Sequence, residues 1–362
     1  MKNILYIGKY NGIIGGIERY MQKSADLLRR NGLTVHYRYI EPGGKKQAAF
    51  AAVFDSVKLF SPDEEMLQSA DLVILHNIID VKYLDLMPEK KTLFFAHDHN
   101  IYCQRHHYYS PIGRINCHRA YHKFICKLCS LGRNPAPPLA QYRKFPALVL
   151  SDFMAENLRK NGFEKVIKLP AFINHPVEKE HNFMPDGILR ILFLGQLIRG
   201  KGADLMLNAL ARLDIPFECT IAGDGKDRAM LESMVEKFKL RDKVRFAGFI
   251  SEPETLWQNC DIFCFPIRWQ EPFGLVGLEA VAHGVPVAAF DLGGVREWLH
   301  DGRNGFLIAE KDCAGLTEIL KKSAEDPAEL ERMGRCGMKI AKEMFSEENF
   351  INMFKNLTEG LS

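Results

Sequence analysis

The sequence predicts an α/β protein of two doubly wound domains, each a parallel sheet covered by helices on both faces. Three observations carry that expectation. At 362 residues the chain is too long for one ordinary core and suits two domains of typical size. Short apolar runs alternate with longer amphipathic segments, the signature of strand–helix–strand units. A stretch of weak periodicity, Leu169–Pro185, punctuated by Pro170, Pro176 and Pro185, separates two such series. Hydrophobic content of 47% and charged content of 26% lie in the globular range, which excludes a disordered chain.

In the first series Asn3–Ile7 reads as a buried strand, followed by a glycine loop and a helix from about Ile17 to Asn31. Val35–Ile40, Asp71–His76, Thr92–His97 and Ala147–Ser151 are further short runs bounded by polar residues, the pattern of strands buried on both faces. The second series opens with strand Leu189–Leu194, a loop and helix Ala203–Arg212. It continues through strand Phe217–Ala222, helix Arg228–Phe238 and strands Val244–Phe246 and Ile262–Phe265. A helix from about Phe273, strand Val285–Phe290 and a helical tail from Asp312 complete it. The domains are therefore placed at 1–170 and 186–345 with a linker at 171–185. Ligands of such sheets sit beyond the carboxyl ends of the strands.

The apolar runs fall short of the ~20 residues that a spanning helix needs, and the N-terminal segment lacks the long apolar stretch of a signal peptide. The expectation is a soluble, cytoplasmic chain. Net charge of +3 hides an asymmetry: residues 1–180 carry 26 basic against 17 acidic side chains, residues 181–362 carry 22 against 28. No acidic residue lies between Asp98 and Asp152, where Arg105, Arg114, Arg119, Lys123, Lys127, Arg133, Arg143 and Lys144 all fall. That block favours anionic partners, phosphates or an acidic membrane surface. Nucleic acid is not expected, because the block comes without a recognised binding motif.

The segment Glu271-Pro-Phe-Gly-Leu-Val-Gly-Leu-Glu279 carries the strongest chemical signal. Two carboxylates flank a turn that opens a helix, so the amides near Gly274 and Leu275 lie where the helix dipole favours a diphosphate. Glu279 is placed to accept from ribose hydroxyls and Glu271 from hydroxyls of a transferred sugar. Lys201, between a strand and a helix, is the best single cation for a leaving diphosphate, and Gly202 lets the backbone approach closely. No Asp-x-Asp triplet, which metal-assisted sugar transfer often uses, occurs in the chain.

This segment, with Ala280, Gly284, Pro286 and Val287 after it, resembles the glutamate-x7-glutamate motif of family 4 glycosyltransferases. Gly15-Gly16-Ile-Glu-Arg19 resembles that family's N-terminal glycine loop and His97-Asp98 its mid-domain histidine. Gly195-Gln196-Leu197 with Lys201-Gly202 resembles its lysine loop, and Ala222-Gly223-Asp224-Gly225 its nucleotide-side turn. Gly293-Gly294-x-x-Glu297 and Gly302 to Gly305 resemble the segment that follows the double-glutamate motif. The resemblance implies the GT-B fold, two Rossmann-like domains facing across a cleft, with the C-terminal helix 346–362 packing back on the first. It implies retaining, metal-independent transfer of a hexose-type sugar from a nucleotide diphosphate, UDP most commonly and GDP in some members. The acceptor implied is a glycan or lipid-linked saccharide of envelope polysaccharide assembly, which would place the chain at the inner face of the membrane.

By the same resemblance His97, Glu271 and Lys201 serve catalysis, and Gly15, Gly16, Arg199, Gly223, Phe273, Gly274, Leu275 and Glu279 bind the donor. The chain departs from the family at Gln196, where an arginine is common. Gln supplies no charge, so either Arg199 substitutes or transfer is weakened, and the rival reading is an inactive scaffold or sugar-nucleotide-binding protein. A nicotinamide-dependent oxidoreductase is disfavoured, since Gly-x-Gly-x-x-Gly is missing after the first strand; an epimerase is weaker still. Cys103, Cys117, Cys126 and Cys129, interleaved with histidines, leave two readings open: a structural Zn site or ordinary core thiols.

Overall fold

A computed structural model describes residues 2–62, 65–77, 80–110, 115–132, 134–173, 182–250 and 253–360. Arg114, Arg133, Pro176 and the middle of the expected linker lie outside the described residues. The chain divides into two compact units, Met1–Phe172 with Glu347–Ser362 and Ile173–Ser346.

The first unit is built on seven parallel strands: β1 (Asn3–Tyr10), β2 (Thr34–Glu41), β3 (Ser56–Leu59), β4 (Leu72–His76), β5 (Thr92–Phe95), β8 (Ala147–Val149) and β9 (Val166–Lys168), with a small antiparallel hairpin of β6 (Tyr109–Ser110) and β7 (Ile115–Asn116) between β5 and β8. The sheet order is β3-β2-β1-β4-β5-β8-β9. Successive side chains of a strand point to opposite faces, and both faces are apolar here. Leu5, Ile7, Val73, Leu75, Phe94 and Val149 join one core cluster. Tyr6 is buried as well, and its hydroxyl donates to Ser24 Oγ of the helix Gly16–Arg30 at 3.3 Å. The sequence reading passes over β3, β9 and the hairpin, which are short and partly exposed and so lack a continuous apolar run.

In the second unit six parallel strands, β10 (Leu189–Leu194), β11 (Phe217–Ala222), β12 (Val244–Gly248), β13 (Ile262–Phe265), β14 (Val287–Phe290) and β15 (Gly305–Ile308), order as β12-β11-β10-β13-β14-β15. Val285, expected in a strand, belongs to the end of the preceding helix: Gly284 adopts φ 72° and the Val285 amide donates to the Ala280 carbonyl. Among the described residues no helix is long and apolar enough to cross a membrane.

The helix Glu347–Glu359 belongs to the first unit. Phe350 packs on Phe172 with ring centroids 4.5 Å apart, and Arg30 grips the Glu347 carboxylate through both terminal nitrogens at 2.8 and 3.1 Å. Phe350 is 2% exposed, so its removal opens a cavity in that core. Phe350→Ala is expected to destabilise the first unit by about 3–5 kcal/mol, measured as a lowered urea midpoint.

Candidate active site

In both sheets the strand order reverses direction beside the first strand, at β1/β4 and at β10/β13. At such a switch point the loops leaving adjacent strands run to opposite faces, which opens a crevice beyond their carboxyl ends. The chemically distinctive residues of the second unit stand on those two loops.

After β10 the chain turns through Gly195–Gly202 into the helix Ala203–Leu210; after β13 it runs through Pro266–Gly274 into the helix Leu275–Ala282. Backbone contacts hold the two loops together. The Arg268 amide donates to the Gly200 carbonyl at 2.8 Å, and a Cβ on Gly200 would lie 2.1 Å from the Trp269 ring. Gly202 adopts φ 75°, and a Cβ there would stand 1.7 Å from the Pro266 carbonyl oxygen. This closeness brings Lys201 Nζ within 2.7 Å of Glu271 Oε2, with the side chains 23% and 15% exposed. Arg268, itself buried, closes the same junction through an ion pair with Asp204.

Gly274 adopts φ 90° and begins the helix that carries Leu275 and Glu279. A helix has no internal acceptor for its first amides, so those of Leu275 and Val276 are donors suited to an anion. Glu279 is half-buried, one turn along. Arg199 and Gln196 are both exposed on the β10 loop. Phe273 and Gly223 are both held by packing within the second unit. Phe273 is 1% exposed against Phe345, and its carbonyl accepts from Trp298 Nε1 at 2.7 Å. The Gly223 amide is taken by the Gly248 carbonyl, and a Cβ would stand 1.8 Å from the Gly195 carbonyl oxygen.

In the first unit Gly15 and Gly16 precede and open the helix Gly16–Arg30, where the Gly15 amide donates to Glu18 Oε2 at 2.9 Å. Gly15 is extended, with φ −160°, and a Cβ on it would meet nothing within 4 Å. Neither backbone angle nor packing calls for glycine here.

His97 follows β5 and lies 2.8 Å, Nε2 to Nδ1, from His76 at the end of β4. Its ring also stacks on Phe95, centroids 4.4 Å apart. Burial holds His97 down to about 3 and lowers His76 as well, so both imidazoles are neutral at neutral pH. A neutral pair shares one hydrogen bond. His76 Nε2 is buried without a partner, and an unpaired lone pair is easier to bury than an unpaired N–H. His76 therefore donates from Nδ1, and His97 carries its own proton on Nδ1. This makes His97 a hydrogen-bonding group rather than a positive charge.

His76 and its neighbour Asn77 are missed by the sequence reading. The Asn77 amide donates to Asp98 at 2.9 Å, so the ends of β4 and β5 are matched residue for residue. The legible signal is the repetition of His-Asn at 76–77 and His-Asp at 97–98, each at the end of an apolar run.

Among the described residues, the four clustered cysteines included, no group of three or more His, Cys, Asp or Glu side chains converges to hold an ion. All four are half-buried and outside any disulfide. Burial pushes the Cys103 and Cys126 thiols up. Cys129 Sγ lies 3.9 Å from Ser110 Oγ on β6.

Residues 176–339 match the family model described as glycosyl transferases group 1, a match that falls on the second unit. The chain is 31% identical over 195 residues, 51% of its length, to a D-inositol 3-phosphate glycosyltransferase of Arthrobacter sp. (strain FB24), of which 46% is covered. It is 33% identical over 155 residues, 41% of its length, to a glycogen synthase of Mycobacterium tuberculosis, of which 37% is covered. The chain thus spans about half or less of the length of the curated relatives it matches. Among solved structures, Anabaena HepE in complex with UDP and glucose superposes with a TM-score of 0.75 at 17% identity, covering 100% of this chain and 99% of that one. A mutant of S. aureus TarM in complex with Fondaparinux, alpha-GlcNAc-glycerol and UDP gives 0.74 at 12%, covering 99% and 100%. The fold is GT-B, and the similarity to the group 1 glycosyl transferases lies in the second unit.

The buried histidines give the first unit a pH dependence of definite sign. Below pH 6.5 the unfolded chain takes up two protons that the folded chain refuses, so their contribution to stability is lost as pH falls toward 3. Asp98, pushed up to about 6 by burial, acts in the opposite sense between about 6 and 3.8, where the folded chain holds the proton more tightly. Between about pH 6 and 4 His97 and Asp98 largely cancel, so the net from these groups is the fall in stability that His76 adds as the pH is lowered. Urea midpoints across that range should show this fall in the wild type, and a His76→Phe/His97→Phe variant should be without it.

Proposed function

We propose that this chain, with its similarity to group 1 glycosyl transferases in a GT-B frame, is a retaining glycosyltransferase of the family 4 type. It moves a hexose-type sugar from a nucleotide diphosphate, UDP in the first instance and GDP in the second, to a glycan or lipid-linked saccharide acceptor of envelope polysaccharide assembly. The observation that carries the reading is the convergence of Lys201 and Glu271 on adjacent loops at the switch point, beside the start of the helix Leu275–Ala282.

In this reading the Lys201 ammonium and the Leu275 and Val276 amides stabilise the charge that builds on the diphosphate as the sugar C1–oxygen bond breaks. Ligand hydroxyls and phosphates take the place of the Lys201–Glu271 ion pair: Glu271 accepts from sugar hydroxyls while Lys201 turns to phosphate. Glu279 accepts from the ribose. The acceptor oxygen attacks C1 from the face the diphosphate leaves, and its proton passes to a departing phosphate oxygen, so no protein base is needed. His97, neutral and carrying its proton on Nδ1, orients the transferred sugar by hydrogen bonding, with His76 fixing its ring. Gly15 and Gly16 leave room for ligand beside their backbone. Fixed protein charge does the work of a metal, and Arg199 supplies the charge that Gln196 does not.

The reading is tested by thermal shift and slow donor hydrolysis across a panel of nucleotide sugars in the presence of EDTA. One nucleotide class should stabilise the protein and be hydrolysed without metal, with turnover falling ~100-fold or more in Lys201→Ala and Glu271→Ala. Arg199→Ala should lose turnover while its melting temperature stays at the wild-type value, since the side chain is exposed. Binding without turnover on any acceptor would favour a sugar-nucleotide-binding scaffold, and no binding at all would overturn both.

A further inference from the structure

The helix Lys123–Cys129 in the first unit reverses the usual arrangement, in which an amphipathic helix turns its apolar face to the core. Phe124 and Leu128, one turn apart, are 80% and 69% exposed, and Leu131, 59% exposed, continues their row. Lys123 and Lys127 form the adjacent row and are exposed too. None of the seven residues is buried.

This exposure is built rather than frayed. Arg105 Nη1 donates to the Cys129 carbonyl at 3.1 Å, and the Tyr121 amide donates to Asn161 Oδ1 at 2.7 Å, which ties both ends of the helix to the unit. The Leu131 and Gly132 amides close the last turn on the Leu128 and Lys127 carbonyls. Leu131 is held at φ 55°, a left-handed conformation that a leucine rarely adopts.

Single apolar side chains at a surface need no explanation, whereas an ordered row of them marks a contact. Charge decides with what. The helix itself carries Lys123 and Lys127 and no carboxylate, so the row is flanked by positive charge. A stable protein partner buries about 800 Å² on each side, more than one seven-residue helix presents. A lipid surface asks only that a few apolar side chains enter the headgroup boundary while lysines stay at the phosphates.

We propose that this helix docks the chain on an anionic lipid bilayer, with Phe124, Leu128 and Leu131 entering the boundary of headgroups and acyl chains and Lys123 and Lys127 at lipid phosphates. The contact is shallow and reversible, graded by the density of anionic lipid and weakened by salt. It goes beyond the transfer reading and does not rest on it, because docking is read without any sugar donor.

The test pellets the intact protein with vesicles of phosphatidylcholine alone or mixed with phosphatidylglycerol. The protein should pellet with the mixed vesicles and not with the neutral ones. Phe124→Ser/Leu128→Ser should weaken the partition about tenfold or more, and Lys123→Gln/Lys127→Gln about fivefold for each lysine removed. Both pairs of side chains are exposed, so melting temperatures should stay at the wild-type value. Wild type left in the supernatant with anionic vesicles, or a serine double variant that pellets like wild type, would overturn the proposal. So would light scattering that shows a wild-type dimer made monomeric by the serine pair, since the row would then be a contact between copies of this chain.

Discussion

The second unit depends on one constraint: at the carboxyl edge of its sheet, main chain packs on main chain with no side chain between. A Cβ on Gly202 would stand 1.7 Å from the Pro266 carbonyl oxygen, one on Gly223 1.8 Å from that of Gly195, and one on Gly293 2.1 Å from that of Glu271. All three glycines also have positive φ, so both space and backbone angle reserve these positions for glycine. The loops after β10, β11, β13 and β14 are thereby locked against one another. Lys201 and Glu271, 70 positions apart in sequence, meet because their loops cannot separate by the width of a methyl group. A polar site set on touching backbone holds its geometry without relying on long, flexible side chains.

The architecture was largely legible because strands buried on both faces write themselves as apolar runs; β1, β4, β13 and β14 are of that kind. β3 and β9 were not, since half-exposed strands of three or four residues leave no run to read. In the site, residue type and position between strand and helix pointed to Lys201, Glu271 and His97. They did not show that Phe273 and Gly223 are packed into the scaffold, because that packing is against Phe345 and Gly195, which sequence spacing does not bring together. Arg268 and His76 were passed over because their importance lies in partners distant in sequence, Asp204 and His97.

The two units handle charge differently. In the second, Lys201, Glu271, Arg268 and Asp204 stand in opposite-sign pairs, so the site holds its charges without leaving one alone. In the first, burial leaves the paired imidazoles uncharged, and orientation rather than charge is what they supply. Half-buried ions paired with each other are exchangeable for a charged ligand, whereas a neutral buried pair has no ion to exchange.

The helix Glu347–Glu359 completes the first unit, although the whole of the second unit separates it in sequence from the rest of that unit. On the ribosome this imposes an order of events. The chain through Phe172 emerges first, and at ~5–20 residues per second the segment that follows takes roughly 10–35 s to synthesise. Throughout that interval the surface around Phe172 that receives Phe350 has no cover, while the second unit is contiguous and can close as soon as it is made. The nascent chain therefore carries an apolar face that is hidden only when its most distant helix arrives, and that face is where chaperones would be engaged and where premature association of nascent chains would begin.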